Sequence, residues 1–324
     1  MDLSEIEGFL KENGADFIGF ADAEPFEEWH EECAARFENG MLPARYSRVL
    51  EHDPCRYIPG ANSLMVLGLR YPALSEVDDP GRCSVAGIAW ARKKERDLAA
   101  RLVQFLEGSG AQARDATGLP AKAASVRAGL ATQRKNSLAY FEQGGSAVRI
   151  GVVVTDLALE PTLPLESDPC VSCTLCLESC PTGALVDEYV VDVPRCLCYV
   201  LEHDSVLPED MRPAVGNRLI GCETCQLVCP DNREVPRSSL DDVPWLDLLT
   251  LAGEVSVRPE KLLSYLHDDL TIPVYSEYMP LRAVALALGN WKDPRGVSYL
   301  EALAGSERPE VVDAARWSLE RLRE

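Results

Sequence analysis

The stretch Cys170-Val171-Ser172-Cys173-Thr174-Leu175-Cys176-Leu177-Glu178-Ser179-Cys180-Pro181, answered by Cys222-Glu223-Thr224-Cys225-Gln226-Leu227-Val228-Cys229-Pro230, decides how this chain is read. Two-residue gaps let successive thiolates converge on three irons of a cubane from one turn of chain, while the cysteine before proline reaches a neighbouring cluster. Counted that way, one cluster takes Cys170, Cys173 and Cys176 with Cys229, and a second takes Cys222 and Cys225 with Cys180. One position stays open for Cys196 or Cys198. Zinc also binds Cys-x-x-Cys pairs, but it has no need of a triple repeat closed by Cys-Pro. The spacing therefore predicts two 4Fe-4S clusters in an electron-transfer module.

Outside this segment the composition is that of an ordinary globular chain: 324 residues, 46% hydrophobic, enough for two or three structural units. Nine of the twelve cysteines crowd into this one segment, seven of them in the two motifs at metal-ligand spacing. Reduced thiolates on iron are thus a better reading than a disulfide scaffold. The acidic start and the shortness of the apolar runs give no leader or membrane span, so the expected location is the cytoplasm. With 52 acidic against 32 basic residues, the net charge of −20 opposes a nucleic-acid backbone at long range. Any nucleic-acid partner would need a local patch, for which Arg92, Lys93, Lys94, Arg96 and Arg101 are the candidates, although such a run is usually a solvated helix face.

Periodicity divides the rest. Leu3, Ile6, Phe9 and Leu10 recur at helical spacing before Gly14, and strands are expected at Phe17 to Ala21 and Ser63 to Tyr71. Trp90 to Glu107, free of Gly and Pro, reads as a long helix. A helix near Ala121 to Ala128 and strands at Ser137 to Phe141 and Ala147 to Thr155 complete an α/β unit over 1–160. The cysteine module occupies 161–236. In 237–324, the stripes Leu281, Val284, Ala285, Leu288 and Val311, Ala314, Ala315, Leu319 suggest stacked short helices of HEAT-like type, most simply for packing.

Taken together, Cys170 to Leu185, Arg195-Cys196-Leu197 and Gly221 to Asn232 resemble the epoxyqueuosine reductase family, cobalamin-dependent iron-sulfur enzymes related to reductive dehalogenases. Upstream, Asp115, Arg127-Ala128-Gly129-Leu130, Lys135-Asn136, Gly145-Ser146 and Thr155-Asp156-Leu157 keep the family's spacing. The resemblance implies an α+β chain: a nitroreductase-like α/β cobalamin domain, a ferredoxin-like double-cluster module and helical repeats. It further implies Cys196 as the eighth ligand, Asp115 as proton donor, and cofactor-binding positions at Lys135, Asn136 and Ser146. Electrons from an external flavodoxin- or ferredoxin-type donor would pass through the clusters to cobalamin in a monomeric protein. From the residues alone, Asp115 is equally a loop or helix-cap aspartate.

The family's Gly-Arg-Asp-Tyr-His-like segment is here Trp90-Ala91-Arg92-Lys93-Lys94-Glu95-Arg96, its Gly-Trp-Ile-Gly is Ala131-Thr132-Gln133-Arg134, and its glutamate after the aspartate is Ala121. Three functions are therefore weighed: epoxyqueuosine reduction on transfer RNA, a paralogous reductase of another substrate, and a two-cluster electron carrier.

Overall fold

The computed structural model describes residues 3–43, 51–163, 165, 170–203, 207–258, 260–264, 266 and 278–324. Its centre is a four-stranded antiparallel sheet in the order Phe17–Asp22, Ser63–Arg70, Val148–Thr155, Ala113–Asp115. Strand Ser63–Arg70 is buried on both faces, which is why its sequence is a continuous apolar run without polar alternation. Met65 and Leu67 meet Ile6, Leu10, Leu98, Leu102 and Leu106, from the helices Leu3–Glu12 and Gly87–Gly108. Leu64 and Val66 face the other way, towards Ile58, Leu119 and the helix Ala121–Arg127.

The expected strand at Ser137 to Phe141 shortens to Ala139–Phe141, paired with Ala131–Gln133. Ser137 takes φ +60° and its N–H closes a turn on Arg134 O at 2.8 Å, so it cannot extend the ladder. The long helix starts three residues earlier than expected, at Gly87.

Two parallel pairings tie distant segments together: Leu74–Ser75 with Arg237–Ser238, and Ser84–Val85 with Arg218–Ile220. They weave the chain after the central strand into the cysteine region. One apolar core then runs from Val85 and Ala89 through Leu197, Val200, Met211, Val215 and Ile220 into the terminal helices, where it takes Leu251, Val284, Leu288, Leu300 and Val311. Residues from all three expected sequence units share this core. Among the described residues, no helix is long and apolar enough to cross a membrane.

Helices Met279–Trp291 and Pro309–Arg321 approach most closely at Gly289, where an added Cβ would stand 2.3 Å from Ser318 Oγ and 2.8 Å from Ser318 Cα. Ser318 is itself held, its Oγ donating to Ala285 O at 2.8 Å. An exposed helical Gly→Ala change stabilises by about 1 kcal/mol. Here the overlap with a backbone atom outweighs that gain, and Gly289→Ala is expected to cost about 1–3 kcal/mol, read as a lower thermal midpoint.

Candidate functional site

None of the twelve cysteines forms a disulfide. The short helices Leu175–Glu178 and Thr224–Leu227, each lying between two cysteines of its motif, pack on one another. Cys176 lies within electrostatic reach of Cys229 and Cys170, whereas Cys225 is surrounded by Cys222, Cys196 and Cys180. Cys196 likewise has Cys222 and Cys180 beside it. Cys176 is also within reach of Cys225, so the two motifs lie side by side.

Burial pushes the thiols of Cys225 and Cys196 up, so holding them as thiolates demands a compensating positive charge, which iron supplies. Cys180 differs. Burial pushes it up too, but the N–H groups of Thr182, Leu185 and Ala184 outweigh that and hold it below the usual thiol range. Ala184 N donates to its sulfur at 3.2 Å. Among the described residues, no three His, Cys, Asp or Glu side chains crowd to the spacing of a single ion. A cubane spreads its thiolates over four irons and asks for a wider arrangement.

The surroundings of the two sets differ. Beside Cys229 stands the Tyr140 hydroxyl, which accepts from Asn136 Nδ2 at 3.0 Å. Lys135 Nζ pairs with Glu188 at 2.6 Å. Ser146 Oγ donates to Gln226 Oε1 and accepts from Asn232 Nδ2, both at 2.8 Å. Lys135, Asn136 and Ser146 are all buried, and each engages a side chain of the protein where the α/β unit meets the cysteine region. In this structure these three positions dock one part of the chain on another. A cavity of about 870 Å³ adjoins them, walled by Tyr71, Arg134, Tyr140, Phe141 and Val235.

Glu223 strengthens the same seam. Its Oε2 accepts from Ser75 N at 2.7 Å and its Oε1 from Gly87 N at 3.1 Å, which sets the first turn of the long helix. Burial pushes this carboxyl up to about 7 against the pull of those two N–H groups. Glu223→Ala strands both buried donors and is expected to destabilise the protein by about 2–4 kcal/mol. Glu223→Gln, which keeps one acceptor, should cost less in the same anaerobic thermal melt.

Asp115 closes the edge strand on the opposite side. Its Oδ1 accepts from Thr117 N at 3.1 Å, and burial pushes the carboxyl up while that N–H and Arg96 pull it back. Within its field lies Glu95, 1% exposed, whose Oε2 accepts from Arg149 Nε at 3.2 Å. Glu202 is in turn within reach of Arg149 and Arg92, and Cys198 has Glu202, Cys196 and Cys222 beside it. Lys122 Nζ, bonded to Ser137 O at 2.6 Å, also faces Cys196 and Cys198. A chain of charged groups therefore connects Asp115 with the set Cys180, Cys196, Cys222 and Cys225. The set closed by Cys229 lies towards Tyr140 and Lys135.

Sequence reasoning missed Glu95, Arg149, Lys122 and Glu202. Glu95 carried a signal: it sits on the buried stripe of Leu98, Leu102 and Leu106, where an acid has no business unless it is paired.

A family model for a 4Fe-4S double cluster binding domain matches residues 169–232. The epoxyqueuosine reductase of Bacillus cereus is 32% identical to this chain, the match covering 97% of this chain and 87% of that protein. A crystal structure of epoxyqueuosine reductase with an epoxyqueuosine-modified tRNA-Tyr stem loop superposes with a TM-score of 0.88 at 25% identity, covering 99% of this chain and 90% of the other. A catabolic reductive dehalogenase shares the fold more distantly, with a TM-score of 0.50 at 17% identity over 82% of this chain and 37% of its own. Cysteine spacing, fold and near full-length similarity agree, and the chain belongs to the epoxyqueuosine reductase family of iron-sulfur oxidoreductases.

Proposed function

We propose that this protein reduces epoxyqueuosine in transfer RNA to queuosine, its clusters feeding a cobalamin seated beside Asp115. The observation that carries this reading is the run of charged groups Glu95, Arg149 and Glu202 between Asp115 and Cys198, the neighbour of Cys196 and Cys222. Cys170, Cys173, Cys176 and Cys229 would hold the far cluster, which receives electrons from a flavodoxin- or ferredoxin-type donor.

For the corrinoid, the residues on the Asp115 side offer a fit. Glu95 Oε1 is buried against Gly151 and, among the described residues, meets no hydrogen-bond donor, which leaves an unmet acceptor on the Asp115 side. Bound there, cobalamin supplies a strongly reducing, nucleophilic metal. Removing the epoxide oxygen as water consumes two electrons and two protons. Asp115 would hand a proton to that oxygen, a task for a carboxyl raised by burial. Exposed Lys93, Lys94 and Arg96 lie on the long helix, Arg96 within reach of Asp115, and form the local basic patch that an acidic chain needs to meet RNA. Nitroreductase-like and HEAT-like describe the first and last units best, with the sequence boundaries 1–160, 161–236 and 237–324, in a cytoplasmic monomer.

The test is anaerobic reconstitution with iron, sulfide and cobalamin, followed by incubation of the desalted protein with epoxyqueuosine-containing transfer RNA and a low-potential reductant. Expected are about eight irons and one corrinoid per chain, with queuosine appearing in the digested nucleosides. Retained corrinoid without queuosine would favour a paralogous reductase, a reading supported by the replaced Trp90 to Arg96 segment lying beside the site. Eight irons without corrinoid would leave a two-cluster electron carrier.

A further inference from the structure

Asp115 is held from two directions. On the sheet side the main chain fixes it, since Ala116 N donates to Val152 O at 2.9 Å just beyond the end of the edge strand. On the other side the turn Thr117-Gly118 meets a pair of side chains from a separate segment. Tyr57 Oη donates to Glu51 Oε2 at 2.6 Å, and the same Tyr57 oxygen lies against the Gly118 backbone. Asp115 lies within the field of that hydroxyl. The approach is close enough that a Cβ at Gly118 would stand 2.1 Å from Glu51 Oε2 and 2.3 Å from Tyr57 Oη. Glycine at 118 is thus what lets the pair close on the turn.

We infer that Glu51 and Tyr57 form a latch that holds the Asp115 turn in its reactive position, making Tyr57 a positioning residue for proton delivery. The inference rests on Asp115 being the proton donor. The Glu51 carboxylate accepts the hydroxyl's hydrogen bond, which fixes the phenol in place and wedges both side chains against the Gly118 backbone. Without it, the carboxyl of Asp115 keeps its chemistry but loses its fixed place relative to the reacting oxygen. A misplacement of about 1 Å is enough to cost a large factor in rate.

The test uses the reconstituted protein and four variants: Tyr57→Phe, Glu51→Ala, Glu51→Gln and Asp115→Asn. Amide hydrogen exchange of residues 115–119 is read first, since it needs no turnover. Tyr57→Phe and Glu51→Ala are expected to speed exchange there by about tenfold and to lower kcat by about tenfold, with KM for the RNA stem loop unchanged. Glu51→Gln keeps an acceptor for the tyrosine and should restore both readouts nearly to the parent values. Wild-type exchange and kcat in Tyr57→Phe and Glu51→Ala together would overturn the latch. Full turnover in Asp115→Asn would instead remove the proton-donor reading, and the exchange data would still decide whether the turn is latched.

Discussion

Asp115→Asn is expected to lower turnover by about 100- to 10,000-fold while leaving iron content, cluster spectra and retained corrinoid unchanged. Asparagine matches aspartate in shape and its side-chain oxygen still accepts from Thr117 N, so the turn should persist. What disappears is the acidic proton. The pH dependence gives a second signature. Burial raises the Asp115 carboxyl, with Thr117 N–H and Arg96 opposing, so the protonated form survives to higher pH than in a free aspartate. As the acid form is the competent one, kcat should be level below the carboxyl's pKa and fall about tenfold per pH unit above it. In Asp115→Asn that alkaline limb should be gone from whatever slow rate remains. Quantifying queuosine nucleoside across a pH series on both proteins checks each part. A variant that keeps the limb would place the titrating acid elsewhere, with buried Glu95 a candidate.

How far the sequence could be read depended on whether the relevant contact was local. The cysteine motifs are local: each closes a turn on itself, so spacing alone anticipates a double-cluster module, and the short helices that carry Cys176 and Cys225 do pack together. The same holds for the central strand and the long helix, whose periodicity reflects what each buries. Asp115 was legible only through the family's spacing, because an aspartate before a turn is commonplace. The seam between α/β unit and cysteine region was not legible at all. Ser146 meets Asn232 and Gln226 across separations of 86 and 80 residues, and the two-residue parallel pairings at Leu74 and Ser84 carry no periodic pattern. Lys135, Asn136 and Ser146 could therefore be placed near a cofactor by resemblance, yet nothing in one sequence could say that their side chains face partners within the protein. The Glu51–Tyr57 pair escaped for the same reason, since its meaning depends on Gly118, which is far away in the chain.

Ligand substitution separates the two cysteines that counting left open. Cys196 shares the company of Cys222, Cys180 and Cys225, whereas Cys198 looks towards Glu202 as well as towards Cys196 and Cys222. Burial raises both thiols; what sets Cys198 apart is the Glu202 carboxyl beside it, whose negative charge opposes a thiolate at that position. Cys198→Ser is accordingly expected to keep about eight irons per chain, and Cys196→Ser or Cys222→Ala to fall to about four. The loss should not stop at the metal. Leu197 and Val200 follow Cys196 directly into the core that the terminal helices share, so an empty site there would also loosen Val284, Leu288 and Val311. Iron analysis and a thermal melt on the same anaerobic sample would show both effects together. If the near cluster is the one that feeds the substrate site, Cys222→Ala should also abolish reduction while the far cluster still accepts electrons from dithionite. A Cys198→Ser protein with four irons and a Cys196→Ser protein with eight would reverse the assignment, and Glu202 would then stand against a cluster thiolate with Arg149 and Arg92 as its counter-charges.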